Sequence, residues 1–210
     1  MVWFGNRQTS SVTVIDDFES GSLSADYTSN TGEFSVTNAI TPENGVYCLE
    51  NPDTSFSRIE AVDGVDGVAF TKGETAKLYV RSSDGEDGVG RFLFGVQDSN
   101  SYYYAGVQFA NERLFLARVD NGAVTQLDAP YSSSIFIDGG EWYEIEVVWD
   151  DGTLGGSDND ITFTLYDGAG GAVIAQATAN DSTYSAENGV GFVGTNQASA
   201  TVYFDYLHKP

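Results

Sequence analysis

Short β-rich runs separated by turn sequences recur along almost the entire chain, and they leave little room for helix. The runs are bounded by segments such as SDGEDG, DSNS, DNG, DDGTLGGSDND and DGAGG. The Gly, Asp, Asn and Ser content of these segments is typical of turns. No window keeps apolar residues at the 3.6-residue period of an amphipathic helix for three turns. The pattern therefore predicts an all-β protein.

The predicted strands cover residues 11–17, 33–37, 46–50, 57–61, 77–82, 90–97, 102–110, 113–120, 123–127, 142–149, 161–166, 173–179, 189–193 and 201–207. The run GAVIAQATA could also be helical, but its β-branched residues and the DGAGG turn before it favour a strand. The segment VTQLDAPYSSSIFIDGGEW is predicted to cross between sheets. Many short strands indicate a two-sheet antiparallel β-sandwich or jelly roll. We assign residues 1–13 to an N-terminal arm and 14–210 to one domain.

The charge of the chain is strongly one-sided, with 31 Asp and Glu against 9 Lys and Arg and a net charge of -22. Such a chain repels nucleic acid phosphate and anionic lipid, so neither is an expected partner. It also repels itself, unless high salt shortens the Debye length to about 3 Å at 1 M. The composition resembles that of proteins from salt-in halophiles, and the alternative is an ordinary acidic extracellular domain.

The N-terminal residues and the single cysteine bear on the location of the protein, its contacts with partners and its disulfide bonds. The first fourteen residues lack the charged and apolar regions of a secretory signal, and no run reaches the ~18 apolar residues of a membrane span. We therefore expect a cytosolic protein, one that leaves the cell within a particle, or one from which a secretion signal has been removed. Val2, Trp3 and Phe4 form either a loose end, an edge strand, or an anchor for a partner subunit. Cys48 can form no internal disulfide and is expected to be buried.

Six motifs occur in an order that resembles the concanavalin A-like lectin/glucanase superfamily: DDFESG, NGVYCLE, YYYAGVQFANERLFLARVDNG, EWYEIEVVWDDG, ITFTLYDGAGG and TVYFDYLHK. The resemblance covers residues 14–209. It implies a jelly roll in which the first and last strands pair. It also implies that an acid from each of these strands, together with backbone carbonyls, holds one structural Ca²⁺.

The segment VIDDFESG places three carboxylates, Asp16, Asp17 and Glu19, around one phenylalanine. The resemblance implies Glu19 and Asp205 as side-chain ligands of Ca²⁺, with Asp17 and Gly45 contributing carbonyl oxygens. On a strand Asp17 and Glu19 would share one face, while Phe18 would face the core. The alternative is a patch of solvated carboxylates with no ion.

The glucanases of this superfamily carry a Glu-x-Asp-x-x-Glu strand, and the nearest segment here is EWYEIE. Retaining hydrolysis needs two carboxyl groups about 5–5.5 Å apart. Glu144 and Glu146 share a face, but Tyr143 stands where the aspartate belongs. We therefore expect a protein that is not an enzyme.

A binding face is predicted on the strands that contain RFLFGVQ, YYYAGVQF and RLFLARV. If the sets that contain Phe92, Tyr103 and Phe115 face the core, the opposite face carries polar and aromatic side chains suited to sugars. These residues are Arg81, Arg91, Gln97, Tyr104, Gln108, Arg118, Glu144 and Glu146. The alternative is a ladder of salt bridges in which the three arginines pair with the two glutamates.

The favoured function at this stage is a non-catalytic virion surface protein of a haloarchaeal virus, such as a capsid turret, a decoration or a tail-associated protein. Its expected partners are a host surface glycan or glycoprotein and, through the N-terminal arm, other virion proteins, as a homo-oligomer. The alternative is a free carbohydrate-binding module or an accessory domain of a secreted halophilic glycosidase, with an extracellular location. A glycan hydrolase is the weakest candidate.

Overall fold

The structure is a computed structural model, and it describes residues 11–52, 55–83, 88–128, 137–195 and 200–210. These residues contain fifteen strands. The strands are β1 (Thr13–Asp16), β2 (Thr28–Ser29), β3 (Ser35–Thr37), β4 (Cys48–Asn51), β5 (Ser57–Ala61), β6 (Glu74–Ser82), β7 (Val89–Asp98), β8 (Ser101–Gln108), β9 (Arg113–Asp120), β10 (Ala123–Asp128), β11 (Tyr143–Asp151), β12 (Asp158–Tyr166), β13 (Val173–Asn180), β14 (Gly189–Thr195) and β15 (Val202–Lys209). The single helical element among them is a 3₁₀ turn at Thr31–Glu33.

The strands form two antiparallel sheets. The first sheet has the order β13-β12-β11-β6-β15-β4-β3, and β1 also pairs with β15. The second sheet has the order β10-β9-β8-β7-β14-β5-β2. The chain passes from the second sheet to the first between β10 and β11, as predicted for the segment that connects them. The fold is a two-sheet antiparallel jelly-roll β-sandwich, which confirms the predicted fold class.

Every predicted run contains a strand, and the GAVIAQATA segment is a strand rather than a helix. The sequence missed β2, because a two-residue strand that pairs only with β5 has no alternation to detect. The predicted pairing of the first and last strands is confirmed, since Thr13 lies opposite Lys209 and Val14 opposite His208. The described residues include no helix with the length and hydropathy needed to cross a bilayer.

The core lies between the two sheets and is rich in aromatic rings. Trp149 of the first sheet packs against Phe94 and Tyr103 of the second, with ring centroids 5.5 and 5.8 Å apart. Phe204 of the first sheet packs on Phe192 of the second at 5.0 Å. Full burial of such a side chain contributes about 1.5–3 kcal/mol, so these contacts hold the sheets together. Cys48 is buried as expected.

Candidate functional site

The VIDDFESG segment begins in strand β1 but turns after Asp16, so the residues that follow do not continue as a strand. Strand β1 ends at Asp16, and Phe18 has a left-handed backbone conformation with φ 59°. Asp17 and Glu19 therefore do not share the face of a strand, because the backbone turns between them. The prediction that Phe18 faces the core is confirmed, since its ring is buried and lies 5.8 Å from that of Phe192.

Each carboxylate of this segment accepts hydrogen bonds from the backbone, which explains how three acids are tolerated together. Asp16 accepts from the Phe18 amide at 2.9 Å and from the Tyr27 hydroxyl at 3.0 Å. Asp17 accepts from the Glu19 amide at 3.1 Å. Burial raises the pKa of Asp16 to about 6, although both of its hydrogen bonds oppose the increase.

Glu19 and Asp205 converge on the loop that precedes β4, although they are far apart in sequence. Glu19 Oε1 accepts hydrogen bonds from the amides of Val46 and Tyr47 at 2.8 and 2.9 Å. Asp205 Oδ2 accepts from the Asn44 amide at 2.7 Å. Both predicted side-chain ligands therefore lie beside the same short stretch of loop.

Asp205 is fully buried, and its Oδ1 has no hydrogen-bond partner among the described residues. Burial raises the pKa of Asp205 to about 7, although the backbone amides of Asn44, Tyr206 and Glu43 oppose the increase, and the nearby Glu19 carboxylate adds to it. A buried acceptor without a donor is unfavourable, and a hard cation would satisfy it. A Cβ at Gly45 would overlap the Glu19 carboxylate and come within 2.9 Å of its Oε2, so Gly45 lies directly against that group.

The described residues contain no cluster of three or more His, Cys, Asp or Glu side chains placed to hold a metal ion. A cation at Glu19 and Asp205 would therefore depend on backbone carbonyl oxygens and water for its other ligands. Ca²⁺ commonly accepts such a mixture, with 6–8 oxygens in total. The oxygen donors of Glu19 and Asp205 are of the type that Ca²⁺ prefers, whereas the ion itself and the carbonyl roles of Asp17 and Gly45 stay predictions.

The prediction that eight binding residues share one face is wrong, because they lie on two different sheets. Arg81, Glu144 and Glu146 belong to β6 and β11 of the first sheet, whereas the other five belong to β7, β8 and β9 of the second. Sequence alternation assigns residues to faces within a strand, but it does not show which strands are neighbours. The alternative ladder of arginine–glutamate salt bridges is not found among the described residues either.

On the first sheet, one lysine lies between the two glutamates. Lys77 Nζ donates to Glu144 Oε1 at 2.7 Å and contacts Glu146 Oε2 at 3.1 Å. The Tyr166 hydroxyl donates to Glu146 Oε1 at 3.0 Å. Burial lowers the pKa of Lys77, but its bonds to the two carboxylates outweigh this and raise it overall. The Lys77 ammonium therefore occupies the space between the two carboxylates.

Strand β9 directs towards the core the set of side chains that was predicted to point outward. Leu114 and Leu116 belong to the main core, whereas Phe115 packs in a second apolar cluster on the outer face of the second sheet. Arg118 therefore has core-side parity, and it forms an ion pair with Asp181 at the edge of the sandwich. The error arises because both faces of β9 are apolar, so alternation alone gives no direction.

The outer face of the second sheet carries a compact apolar and aromatic cluster made of Leu93, Val96, Tyr102, Tyr104, Ala117, Val119 and Val193, with Phe115 packed against it. Gln108 lies on the same face as Tyr104, four residues further along β8. Gln97 is exposed and lies beyond the regular pairing of β7 with β8. The predicted residues Arg91, Tyr104 and Gln108 are thus the ones that this face brings together.

A pocket of about 350 Å³ opens on this outer face. We call it the Arg58–Arg91 pocket, and its lining includes Phe56, Arg58, Arg91, Tyr102, Tyr104 and Val124. The Phe56 ring is 51% exposed and Val124 is 63% exposed, so both present apolar surface at the pocket. Exposed aromatic surface beside a few polar groups is typical of small-ligand sites.

Strand pairing explains how the two arginines reach one pocket. Val193 of β14 lies opposite Arg58 of β5 on one side and opposite Arg91 of β7 on the other. The two arginines are therefore two strand spacings apart in one row, which is about 10 Å of backbone separation. Phe56 and Arg58 were not among the predicted binding residues, although the alternation of Arg58 and Glu60 with Ile59 and Ala61 indicates an outward-facing Arg58.

The N-terminal residues Val2, Trp3 and Phe4, proposed as a partner anchor, lie outside the described residues. The assigned domain boundary at residue 14 falls inside β1, which begins at Thr13.

Comparison with known proteins shows likeness in fold. The carbohydrate-binding module CBM66 from Bacillus subtilis is 18% identical, with a TM-score of 0.58 over 85% of this chain and 96% of that one. The GH43 protein BlXynB from Bacillus licheniformis is 12% identical, with a TM-score of 0.55 over 99% of this chain and 40% of that one. A mixed linkage glucan GH16 protein from Bacteroides ovatus is 9% identical, with a TM-score of 0.55 over 85% of this chain and 86% of that one.

No protein-family model matches the sequence, and no curated protein does. At these identities the solved structures establish the shared jelly-roll architecture.

Proposed function

We propose that the protein binds carbohydrate, without cleaving it, through the outer face of its second sheet. The observation that carries this proposal is the half-exposed Phe56 ring beside two arginines in the Arg58–Arg91 pocket. A flat aromatic ring can pack on the C–H face of a sugar, and guanidinium groups donate paired hydrogen bonds to its oxygens. The proposal is supported by the carbohydrate-binding module CBM66, which has the same fold.

The proposal of a non-catalytic role rests on the Lys77 bridge. Retaining and inverting glycosidases both need one protonated carboxyl group as general acid. Lys77 Nζ bonds to Glu144 and Glu146 together, so the ammonium occupies the space between the two carboxylates that a glycosidic oxygen would need. These two carboxylates also lie on the first sheet, away from the pocket on the second.

Binding is tested by affinity electrophoresis and calorimetry against a panel of soluble neutral and charged polysaccharides. The variant Phe56→Ala should weaken binding about tenfold, since it removes the exposed ring. Leu154→Ala is the matched control, because Leu154 is a similarly exposed apolar side chain outside the pocket. Equal affinities for the two variants, or binding to no polysaccharide in the panel, would overturn the proposal.

A structural calcium ion at Glu19 and Asp205 is proposed as part of the same fold. The support is the buried, unpartnered Oδ1 of Asp205 and its convergence with Glu19 on one loop. A bound ion would tie β15 to the turn after β1. Calcium at 100 times its Kd should stabilise the folded state by about 2.7 kcal/mol.

The calcium proposal is tested by thermal unfolding after chelation and again with added Ca²⁺. The wild type should gain stability with the ion, and Glu19→Gln should lose that gain. Glu141→Gln is the control, since it removes the same charge from an exposed residue outside this site. An identical calcium response in both variants would contradict the assignment.

The finer functional prediction is a surface protein of a haloarchaeal virion, with a free carbohydrate-binding module as the alternative. The net charge of -22 supports a protein adapted to high salt. The two alternatives are distinguished by light scattering in high salt, which measures the oligomeric state before and after residues 1–10 are deleted. A virion component should change from a homo-oligomer to a monomer, whereas a free module should be monomeric before and after the deletion.

A further inference from the structure

The Arg58–Arg91 pocket has the opposite charge to the chain as a whole. The chain carries a net charge of -22, yet the described residues that line the pocket include two arginines and no Asp or Glu. Two arginines in the lining of one pocket are notable in a chain with 31 acids and only 9 basic residues. The two guanidinium groups nevertheless differ in their surroundings.

Arg58 is already neutralised within the protein. Its Nε donates to Glu60 Oε2 at 2.9 Å, and Glu60 is 2% exposed. Its Nη1 donates to the Tyr102 hydroxyl at 3.4 Å. Arg58 therefore has a structural partner that occupies its charge, and it helps to hold Tyr102 in the pocket.

Arg91 has no such partner. Its guanidinium lies over the Tyr104 ring at 5.0 Å and over the Phe56 ring at 5.8 Å. No described residue forms an ion pair with it, and its buried Nε has no hydrogen-bond partner among them. Burial lowers the pKa of Arg91, and the groups that oppose this are Tyr104 and Tyr102, not a carboxylate.

The backbone makes room for this unpaired cation. Gly106 lies directly opposite Arg91, and a Cβ there would come within 2.8 Å of Arg91 Cγ. The arginine stem can therefore lie across β8 and bring its guanidinium between the two rings. A partly buried guanidinium without a counter-ion is costly, and an anionic group that enters the pocket would offset that cost.

We propose that the pocket binds an anionic saccharide, in which a carboxylate or sulfate group pairs with Arg91 while the sugar ring packs on Phe56. This rests on the proposed carbohydrate-binding function and specifies its ligand class. The planar guanidinium donates two parallel hydrogen bonds to a single carboxylate or sulfate, and the opposite charges strengthen them, whereas its bonds to neutral sugar hydroxyls lack this charge assistance. Long-range attraction does not explain binding of a polyanion here, since a chain of this charge repels it.

The test uses two matched pairs of polymers: dextran sulfate with dextran, and polygalacturonate with fully methyl-esterified pectin. Affinities are measured by calorimetry and affinity electrophoresis at one fixed salt concentration. The protein should bind the charged member of at least one pair and bind its neutral counterpart at least about tenfold more weakly. Which pair shows the difference distinguishes a sulfate from a carboxylate ligand.

The variant Arg91→Gln should lose about 10- to 100-fold in affinity for the charged polymer. Arg81→Gln is the matched control, because Arg81 also has no ion pair among the described residues and lies over the Trp142 ring on the first sheet. Arg91→Lys keeps the charge but not the paired donors, and should fall between the wild type and Arg91→Gln. Circular dichroism and thermal unfolding test whether each variant is folded. If Arg91→Gln does not fold, the affinity of Arg91→Lys for the charged polymer is compared with that of Arg81→Gln instead.

Three outcomes overturn the inference. Equal binding of charged and neutral members removes the anion requirement, as does an equal effect of the Arg91 and Arg81 variants. If a neutral polysaccharide binds and only Phe56→Ala weakens it, the proposed carbohydrate function stands and the anionic ligand class fails. If no polymer in either test binds, both fail together.

Discussion

The close approach of Gly45 to Glu19 allows a direct test of the contact between the turn after β1 and the loop before β4. Gly45 has φ +76°, and an added Cβ would overlap the Glu19 carboxylate. Gly67 has φ +78°, but no atom lies within 4 Å of its added Cβ. Gly45→Ala and Gly67→Ala therefore impose the same backbone strain, and only the first displaces Glu19.

The magnitude follows from what Glu19 holds. The strain of a left-handed alanine is about 1–2 kcal/mol and is common to both variants. Displacement of Glu19 also removes its hydrogen bonds from the Val46 and Tyr47 amides. At about 1.5 kcal/mol for each bond to a charged acceptor, Gly45→Ala should lose about 3 kcal/mol more than Gly67→Ala. For a domain of this size that corresponds to a difference in Tm of about 6–12 °C.

Differential scanning calorimetry of both variants, after chelation and with Ca²⁺, measures this difference. Gly45→Ala should melt well below Gly67→Ala in the chelated protein, and it should also show the smaller gain with Ca²⁺. Equal melting temperatures for the two variants would refute the reasoning, since the Glu19 bonds would then contribute nothing to stability.

Two further predictions concern buried charges. Burial raises the pKa of Asp181, but its hydrogen bonds and the charge of Arg118 lower the pKa by more. The ionised Asp181 therefore stabilises the fold above about pH 4, and this stabilisation is lost as the pH falls through the lowered pKa. Urea unfolding should show Asp181→Asn less stable than the wild type by about 1–2 kcal/mol at pH 7, with the gap closing below pH 4; a gap that is constant with pH contradicts this. Lys77→Met should cost about 3 kcal/mol because Glu144 is then buried without its ammonium partner, and Glu144→Gln in the same chain should restore most of the loss. Purely additive effects in that double-mutant cycle would count against the ion pair.

Much of the fold could be predicted from the sequence because it depends on local patterns. Alternation along each strand and Gly- and Asp-rich turns between strands are properties of neighbouring residues, and all the predicted runs contain strands. The short β2 was missed because its pairing with β5 is its only defining feature. The pairing of β1 with β15 was reached only through resemblance, since nothing local connects residues at the two ends of the chain.

The candidate site was predicted less well, and β9 shows why. Both faces of that strand are apolar, so alternation identified two sets but not which one faces the core. Arg118 was consequently placed on the binding face, whereas it pairs with Asp181 at the sandwich edge. Arg81 and the two glutamates were grouped with residues of another sheet for a related reason, because strand order across a sheet is not encoded in the pattern of any one strand.

The sequence by itself determined an all-β chain, its acidic charge, the burial of Phe18 and the outward direction of Arg91 and Tyr104. Only the tertiary structure decided that β14 lies between β5 and β7, which places Arg58 and Arg91 in one row beside Phe56. It likewise decided that Asp205 meets Glu19 across one loop. The physical reason is that period-two alternation depends on adjacent residues, whereas a pocket depends on pairings between distant strands, whose register follows from the packing of the whole core.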